Sequence, residues 1–489
     1  MLKVHNSLGR KLQEFKPLRE GFVGIYVCGP TVYGHCHIGH AKSYVSFDVI
    51  VRYLRYLGYH VRYVQNITDV GHLTDDADMG EDKIGVKARE MGIEPMEVAE
   101  MFTRSYFEDM DALNVQRPDI SPRASGHIPE QIELVKALLD KGHAYEVEGN
   151  VYFDVPSFPE YGKLSGRSLD ELAEGERVEG REDKRHPADF ALWRRAEPGH
   201  LMRWNSPWGA GFPGWHLECS VMSTKYLGET ADIHGGGIEN SFPHHEDEIA
   251  QTEAATGKPF VRYWLHNGMV TVNGQKMGKS LGNFITLKDA FAGRPPLDRP
   301  IRPPVLRYFI LSSHYRSPLD FSQEALDAAE KGLERIENTV GRVRRMLQQA
   351  PEGEPAAPVK GLVEQTKEQF LGEMDNDFNS AGALGVLSTF TREVNRLLDE
   401  GQGITQGSLE AVDALYEELG GQILGIVSDE TGPRAEAGIE DQLIQALLAV
   451  RADLREAKQF ELADSIRGRL EELGIELQDG PDGTTWQYR

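Results

Sequence analysis

The chain has 489 residues, 40% of them hydrophobic and 27% charged, with 53 Lys and Arg against 77 Asp and Glu for a formal charge of −24. That balance excludes collagen-like, wholly disordered and membrane-spanning chains, and the length suits roughly three domains of about 150 residues. The acidic total excludes a global electrostatic grip on nucleic acid, so any such contact must rest on local basic patches.

Three cysteines, Cys28, Cys36 and Cys219, are too few for a disulfide scaffold and point to a reducing compartment. Basic residues near the start (Lys3, Arg10, Lys11, Lys16) are followed by no apolar stretch, so no secretory signal is expected. Residues 22–27 read as a strand that Cys28-Gly29-Pro30 breaks. Val45, Val49, Tyr53 and Tyr56 give helical spacing over 39–57, with Gly58 as the stop, and 61–64 reads as the next strand. This βαβ unit predicts a parallel sheet with helices on both faces.

Residues 126–205 read as an insertion whose polar run, 171–184, is expected to be a loop. The second half begins with a helix over 214–226. A strand end at Asp232-Ile233 follows, then His234 and the glycines Gly235, Gly236 and Gly237. Pro243 opens a helix that ends at Gly257, and Asn273-Gly274 after Val270-Thr271-Val272 is a hairpin signal. After 321 the pattern is helical. Leu326, Ala329, Leu333, Ile336, Val340, Val343 and Leu347 form one stripe, and Lys331, Arg335, Arg342, Arg344 and Arg345 lie opposite. Residues 351–359 and 428–438 read as linkers. The final module places Leu443, Leu447 and Val450 on one helix face and a short β piece over 474–489. There is no internal repeat.

His37-Ile38-Gly39-His40 sits between a strand and a helix N-terminus, where unpaired N–H groups and the helix dipole favour phosphate. Taken alone it fits two surface histidines equally well. Lys276-Met277-Gly278-Lys279-Ser280 follows the hairpin, and its two lysines suit the growing charge of a pyrophosphate leaving group, or simply a solvated basic loop. Cys28, Cys219, His244 and Glu248 offer zinc-type donors, the last two one helical turn apart. Their spacing fits buried thiols and a solvated pair as well.

Taken together, the first two motifs resemble the HIGH and KMSKS motifs of class I aminoacyl-tRNA synthetases. The runs CGPTVY (28–33), NITD (66–69), GWHLEC (214–219), HGGG (234–237) and FPHHE (242–246) also resemble the cysteinyl-tRNA synthetase family, from about residue 20 to the end. The resemblance implies an α/β, Rossmann-like doubly wound catalytic domain, its halves spanning 1–125 and 206–290 around the 126–205 connective peptide. A stem-contact connection (291–321, with Arg302, Arg307 and Arg316), an α-helical anticodon-binding bundle (322–427) and a small mixed anticodon-binding module (439–489) would follow. It implies a ligase that makes cysteinyl-adenylate from L-cysteine and ATP with Mg2+, then charges tRNA(Cys), in the cytoplasm and as a monomer.

It further implies one Zn2+ held by Cys28, Cys219, His244 and Glu248. His37, His40, Lys276 and Lys279 would carry the chemistry. Gly29, Pro30, Thr31, Thr68, Trp215, His234, Gly235, Gly236, Gly237 and Glu239 would shape the cysteine and ATP sites, with Glu239 near the substrate amino group. The chain departs from the family pattern at Gly278, at Glu239 and in the longer 70–81 stretch. Three other readings fit parts of the pattern. One is a ligase joining cysteine to an amino sugar, as in the shorter mycothiol-pathway relative. Another is a non-catalytic tRNA-binding protein, which would have lost His37, His40 or Lys279. The third is an unrelated zinc hydrolase.

Overall fold

A computed structural model describes residues 1–71, 81–168, 183–197, 199–278, 281–401, 404–428, 439–480 and 483–488. Lys279 and much of the 70–81, 171–184 and 428–438 stretches lie outside the described residues.

The chain opens with a hairpin that the sequence reading missed, β1 (Lys3–Asn6) against β2 (Lys11–Glu14). Strand β3 (Phe22–Val27) leads through the Cys28-Gly29-Pro30 break into α1 (Ile38–Tyr56), and β4 (His60–Gln65) follows. Helix α1 buries Val45, Val49 and Tyr53, and it ends where Gly58 takes φ +88°. Helices α2 (Lys83–Met91) and α3 (Pro95–Ala112) come next.

The insertion comprises α4 (Ile128–Asp140) and an antiparallel sheet: β5 (Ala144–Val147), β6 (Asn150–Phe153), β7 (Phe190–Arg195), β8 (Trp204–Ser206) and β9 (Gly209–Pro213). It has its own core around Phe153, Leu192 and Trp193. Its strand order, β5-β6-β7-β9-β8, carries the insertion on to Pro213, past the expected edge at 205. A boundary at 205 would separate the paired strands β8 and β9.

The second half returns with α5 (Trp215–Leu227), β10 (Ala231–Gly237), α6 (His244–Thr256) and β11 (Val261–Asn267). The main sheet is parallel in order β11-β10-β3-β4, so the two βαβ halves meet at β10 and β3. In such sheets ligands bind beyond the carboxyl ends of the strands, at that switch point. Strands β12 (Val270–Val272) and β13 (Gln275–Lys276) turn at Asn273 and Gly274, both at positive φ.

Helices α7 (Leu287–Ala292) and α8 (Pro303–Leu311) lead to β14 (Leu319–Phe321). The bundle is α9 (Gln323–Leu347), α10 (Ala357–Met374), α11 (Ser380–Glu400) and α12 (Gln406–Leu415), extended by a π-helix, Tyr416–Ile423. In α9, Leu326, Ala329, Leu333, Ile336, Val340 and Val343 are buried, as the spacing requires. Burial of each larger side chain stabilises by about 1.5–3 kcal/mol.

Helices α13 (Ile439–Glu456) and α14 (Phe460–Glu472) pack on the hairpin β15 (Ile475–Gly480) and β16 (Gly483–Tyr488). Here the expected stripe is corrected. Ile444 and Leu448 are buried with Leu470, Ile475 and Leu477, whereas Leu447 and Val450 are 40% and 48% exposed. Two apolar rows run side by side on this helix, and spacing alone does not choose between them. No described helix is long and apolar enough to cross a membrane.

The arginines need correction too. Arg344 pairs with Asp413 at 2.8 Å and Arg342 with Asp399 at 2.7 Å, so both brace the bundle. Arg302 pairs with Glu337 and Arg316 with Asp377, and Arg307 is buried.

Candidate active site

A cavity of about 990 Å³ opens at the switch point. Its floor is the end of β3. There Gly29 passes so close to the next strand that a Cβ would stand 1.6 Å from the Asn66 carbonyl oxygen, and its N–H donates to Asn66 Oδ1 at 2.7 Å. Only glycine fits that approach. Pro30, Thr31 and Thr68 complete this wall, with Thr68 N–H donating to the Pro30 carbonyl at 3.0 Å.

His37 is the N-cap of α1. Its Nδ1 accepts Gly39 N–H at 3.1 Å, and His40 Nδ1 accepts His37 N–H at 3.2 Å, a reciprocal capping box built from two imidazoles. With Nδ1 committed as an acceptor, a neutral imidazole in this arrangement carries its proton on Nε2. Burial and the neighbouring His37 push the His40 pKa well down, so it stays neutral. The rings lie 3.8 Å apart, and Phe284 packs edge-on against His37 at 5.2 Å.

Cys28, Cys219, His244 and Glu248 bring their ligand atoms within 4.8 Å of one another. A second group, Cys28, His234, His245 and Glu248, does the same and shares two members. The cavity separates them. Cys28, Cys219 and His244 line it, whereas His234, His245 and Glu248 are buried behind. A metal in the first group could be reached by a ligand in the cavity. Two sulfurs with an imidazole and a carboxylate suit zinc far better than magnesium or calcium. Without a cation the donors repel one another. Burial and then Cys28 push the Cys219 thiol well up, and they do the same to Glu248. A bound dication inverts that logic.

An imidazole shell behind the ligands escaped the sequence reading. His216 Nδ1 lies 2.8 Å from His244 Nδ1, and His216 Nε2 is 3.3 Å from Asp247, which accepts the Tyr161 hydroxyl at 2.5 Å. His245 Nδ1 meets His266 Nε2 at 2.8 Å, and His266 Nδ1 meets Ser7 Oγ at 2.7 Å. Burial pushes the His266 pKa down to about 3. Such outer partners fix ring orientation and tautomer.

The remaining candidates divide. Trp215 lines the cavity and stacks on His244 at 4.2 Å. Gly236 and Gly237 line it, but Gly235 does not: a Cβ there would stand 2.2 Å from the Phe47 ring, so this glycine admits α1. His234 is likewise buried behind the wall. Glu239 is exposed at the cavity mouth and folds over Gly237. Lys276 is exposed at the end of β13, outside the cavity lining. Gly278 N–H donates to Asn283 Oδ1 at 2.9 Å, anchoring the loop base. Lys83 and Lys87 of α2 also line the cavity. Their i, i+4 spacing was readable, but not where the helix lay.

Lys42, in α1, donates to the Ser317 carbonyl, and burial lowers its pKa to about 8 against the pull of Glu239. Between that value and its ordinary pKa near 10.4 the folded chain holds fewer protons here than the unfolded chain. Lys42 therefore contributes a rise in stability as pH climbs from about 8 to about 10. Urea midpoints across that window should rise more in the natural protein than in Lys42→Met. Equal slopes would remove Lys42 as the cause.

The catalytic-domain model of class I tRNA synthetases (C) matches residues 14–331, and the DALR domain matches 369–428. The chain is 54% identical to the Cysteine--tRNA ligase of Chlorobaculum tepidum over 500 residues, covering 100% of this chain and 99% of the relative. It is 49% identical to that of Deinococcus radiodurans over 491 residues, covering 99% and 96%. Among solved structures it is similar to Mycobacterium tuberculosis methionyl-tRNA synthetase in complex with methionyl-adenylate. The TM-score is 0.62 at 16% identity, covering 84% of this chain and 92% of that one, a likeness of fold.

Proposed function

The chain belongs to the cysteine--tRNA ligase family of class I aminoacyl-tRNA synthetases, and we propose that its switch-point cavity is where L-cysteine, ATP with Mg2+ and the end of tRNA(Cys) react. In the first step the cysteine carboxylate attacks the α-phosphorus, the bond to the β,γ unit breaks, and pyrophosphate leaves. In the second the terminal ribose hydroxyl of tRNA takes the acyl group and AMP leaves. Both steps need positioning and charge stabilisation more than proton transfer.

His37 and His40 contact the ATP phosphates beside the N-terminus of α1. Gly236 and Gly237 admit the adenosine, with Glu239 at the mouth. Lys276 and Lys279 supply the positive charge for the pyrophosphate. Trp215 and Thr68 wall the cysteine. Cys28, Cys219, His244 and Glu248 would hold zinc, which would supply a Lewis acid for the substrate thiol. One observation carries this reading: the thiol-bearing donor group and the paired N-cap histidines open into the same cavity. Cysteine-dependent pyrophosphate exchange, followed by charging of tRNA(Cys), is the test. Exchange driven equally by other amino acids would refute it.

We assign the bundle and the terminal module to the anticodon arm, and the protein to the cytoplasm as a monomer. Arg342 and Arg344 are committed to Asp399 and Asp413, so the phosphate-facing candidates on α9 are the exposed Lys331, Arg335 and Arg345. Reversing these three to Glu should weaken tRNA binding and flatten its salt dependence, by roughly 0.7–0.9 in log–log slope for each phosphate no longer neutralised. Pyrophosphate exchange should stay intact. An unchanged salt slope would place the tRNA on another face. Arg344→Glu, by contrast, sets a carboxylate against Asp413 and should lower stability.

A further inference from the structure

A buried carboxylate on the cavity wall has no assigned task. Glu218 lies in the first turn of α5, one residue before Cys219, and is 1% exposed. Its Oε1 accepts the Thr68 hydroxyl, and Thr68 Oγ1 receives Asn66 Nδ2 at 3.0 Å. Its Oε2 has no hydrogen-bond partner, and the residue lines the cavity. Among the described residues Glu218 makes no ion pair. Burial disfavours the ionised form of this carboxyl, and a donor reaching its bare oxygen from the cavity would offset that cost.

The chemistry of that donor is constrained. It sits beside acids and thiols, so a cation is favoured over a neutral hydroxyl. It must also reach Glu218 from a substrate whose sulfur lies at the wall of Cys28, Cys219 and His244. In a β-thiol amino acid the α-nitrogen is separated from the sulfur by only two carbons, and an ammonium offers three N–H donors.

We infer that Glu218 Oε2 accepts the α-ammonium of the substrate amino acid, so that the Thr68–Glu218 couple reads the amino group while the donor cluster reads the sulfur. This rests on the reading of the cluster as the thiol site. Glu239, to which the sequence reading gave the amino group, is exposed at the mouth near Lys42 and already has a cationic neighbour.

The test compares L-cysteine with 3-mercaptopropionate, which lacks only the amino group, by calorimetric titration of the zinc-loaded protein. The natural protein should bind L-cysteine about 10- to 100-fold more tightly than the des-amino thiol, the range of a charge-assisted hydrogen bond. Glu218→Gln keeps an oxygen for Thr68 and nearly the same volume. It should lose that preference, with L-cysteine weakened about 10- to 100-fold and 3-mercaptopropionate changed by less than about threefold. Metal analysis should still return one zinc per chain. Equal weakening of both thiols, or unchanged cysteine binding, would overturn the assignment. So would a natural protein that binds the two thiols alike, a comparison that needs no variant and stands even if Glu218→Gln misfolds. Failure of the ligase reading looks different: no cysteine-dependent pyrophosphate exchange in the natural protein.

Discussion

Cys219→Ser is expected to lose metal and cysteine activation together, and the natural protein is expected to carry one zinc per chain and to reject serine strongly. The expectation follows from the donor set. Cys219 is 1% exposed, lines the cavity and stands in the group formed with Cys28, His244 and Glu248. Replacing its sulfur by a hydroxyl removes one of two soft ligands without changing the shape much, so the fold should survive. Mutation of outer-shell partners already costs about 10- to 100-fold in metal affinity, and loss of a ligand should cost more. The same chemistry separates the substrates. Serine and cysteine differ by one atom, and a pocket relying on size or one hydroxyl separates such pairs by only about a hundredfold. A sulfur-selective metal exceeds that without a second hydrolytic site. Metal analysis, unfolding midpoints and amino-acid-dependent pyrophosphate exchange on both proteins decide the matter. A metal-free natural protein that still rejected serine would sink the idea.

The parts of this molecule that were legible in its sequence are those with local periodicity or local turn chemistry. The strand–helix–strand unit from Phe22 to Gln65, the turn at Asn273 and Gly274, and the buried stripe of α9 all repeat at 2.0 or 3.6 residues or use residues that tolerate positive φ. The cavity residues Cys28, His37, His40, Trp215 and Cys219 were found by motif rather than by period. What stayed hidden is held by partners far away in the chain. The first hairpin is tied down by Ser7 N–H to the Trp264 carbonyl and Lys3 N–H to the Asp375 carbonyl. The imidazole shell links Ser7, His216, His245 and His266, residues with no common spacing. Charge misled for a related reason. Arg302, Arg307, Arg316 and Arg344 look like nucleic-acid contacts until their acidic partners are seen, because composition does not tell a solvated cation from a paired one.

Arg307 shows what such a pair does, and Asp48→Ala should be the most destabilising single change away from the cavity. Asp48 lies in α1, almost wholly buried. Its Oδ2 accepts Arg52 Nε at 2.7 Å and an Arg307 N–H at 2.5 Å, and its Oδ1 accepts Gln116 N–H at 2.8 Å. Arg307 also donates to the carbonyls of Leu424, Leu113 and Asn114 at 2.8–3.0 Å. One carboxylate therefore serves two buried guanidiniums and joins α1 and α8 to the end of the bundle. Tyr53 and Tyr56 of α1 add hydroxyl contacts to Asp375 and Glu418. Removing the carboxylate leaves two cations uncompensated, and breaking a buried pair in this way costs about 3–5 kcal/mol. The cost should show in urea unfolding. It should also show as a larger loss of tRNA charging than of pyrophosphate exchange, because the helix that begins at His37 would lose its hold on the bundle. Adding Arg307→Met to Asp48→Ala removes one stranded charge and should return part of the stability, a coupling of about 0.5–3 kcal/mol in a double-mutant cycle. If Asp48→Ala cost under about 1 kcal/mol, or if the two changes were additive, the carbonyls alone would be satisfying Arg307, and the ion pair would not be what joins the two domains.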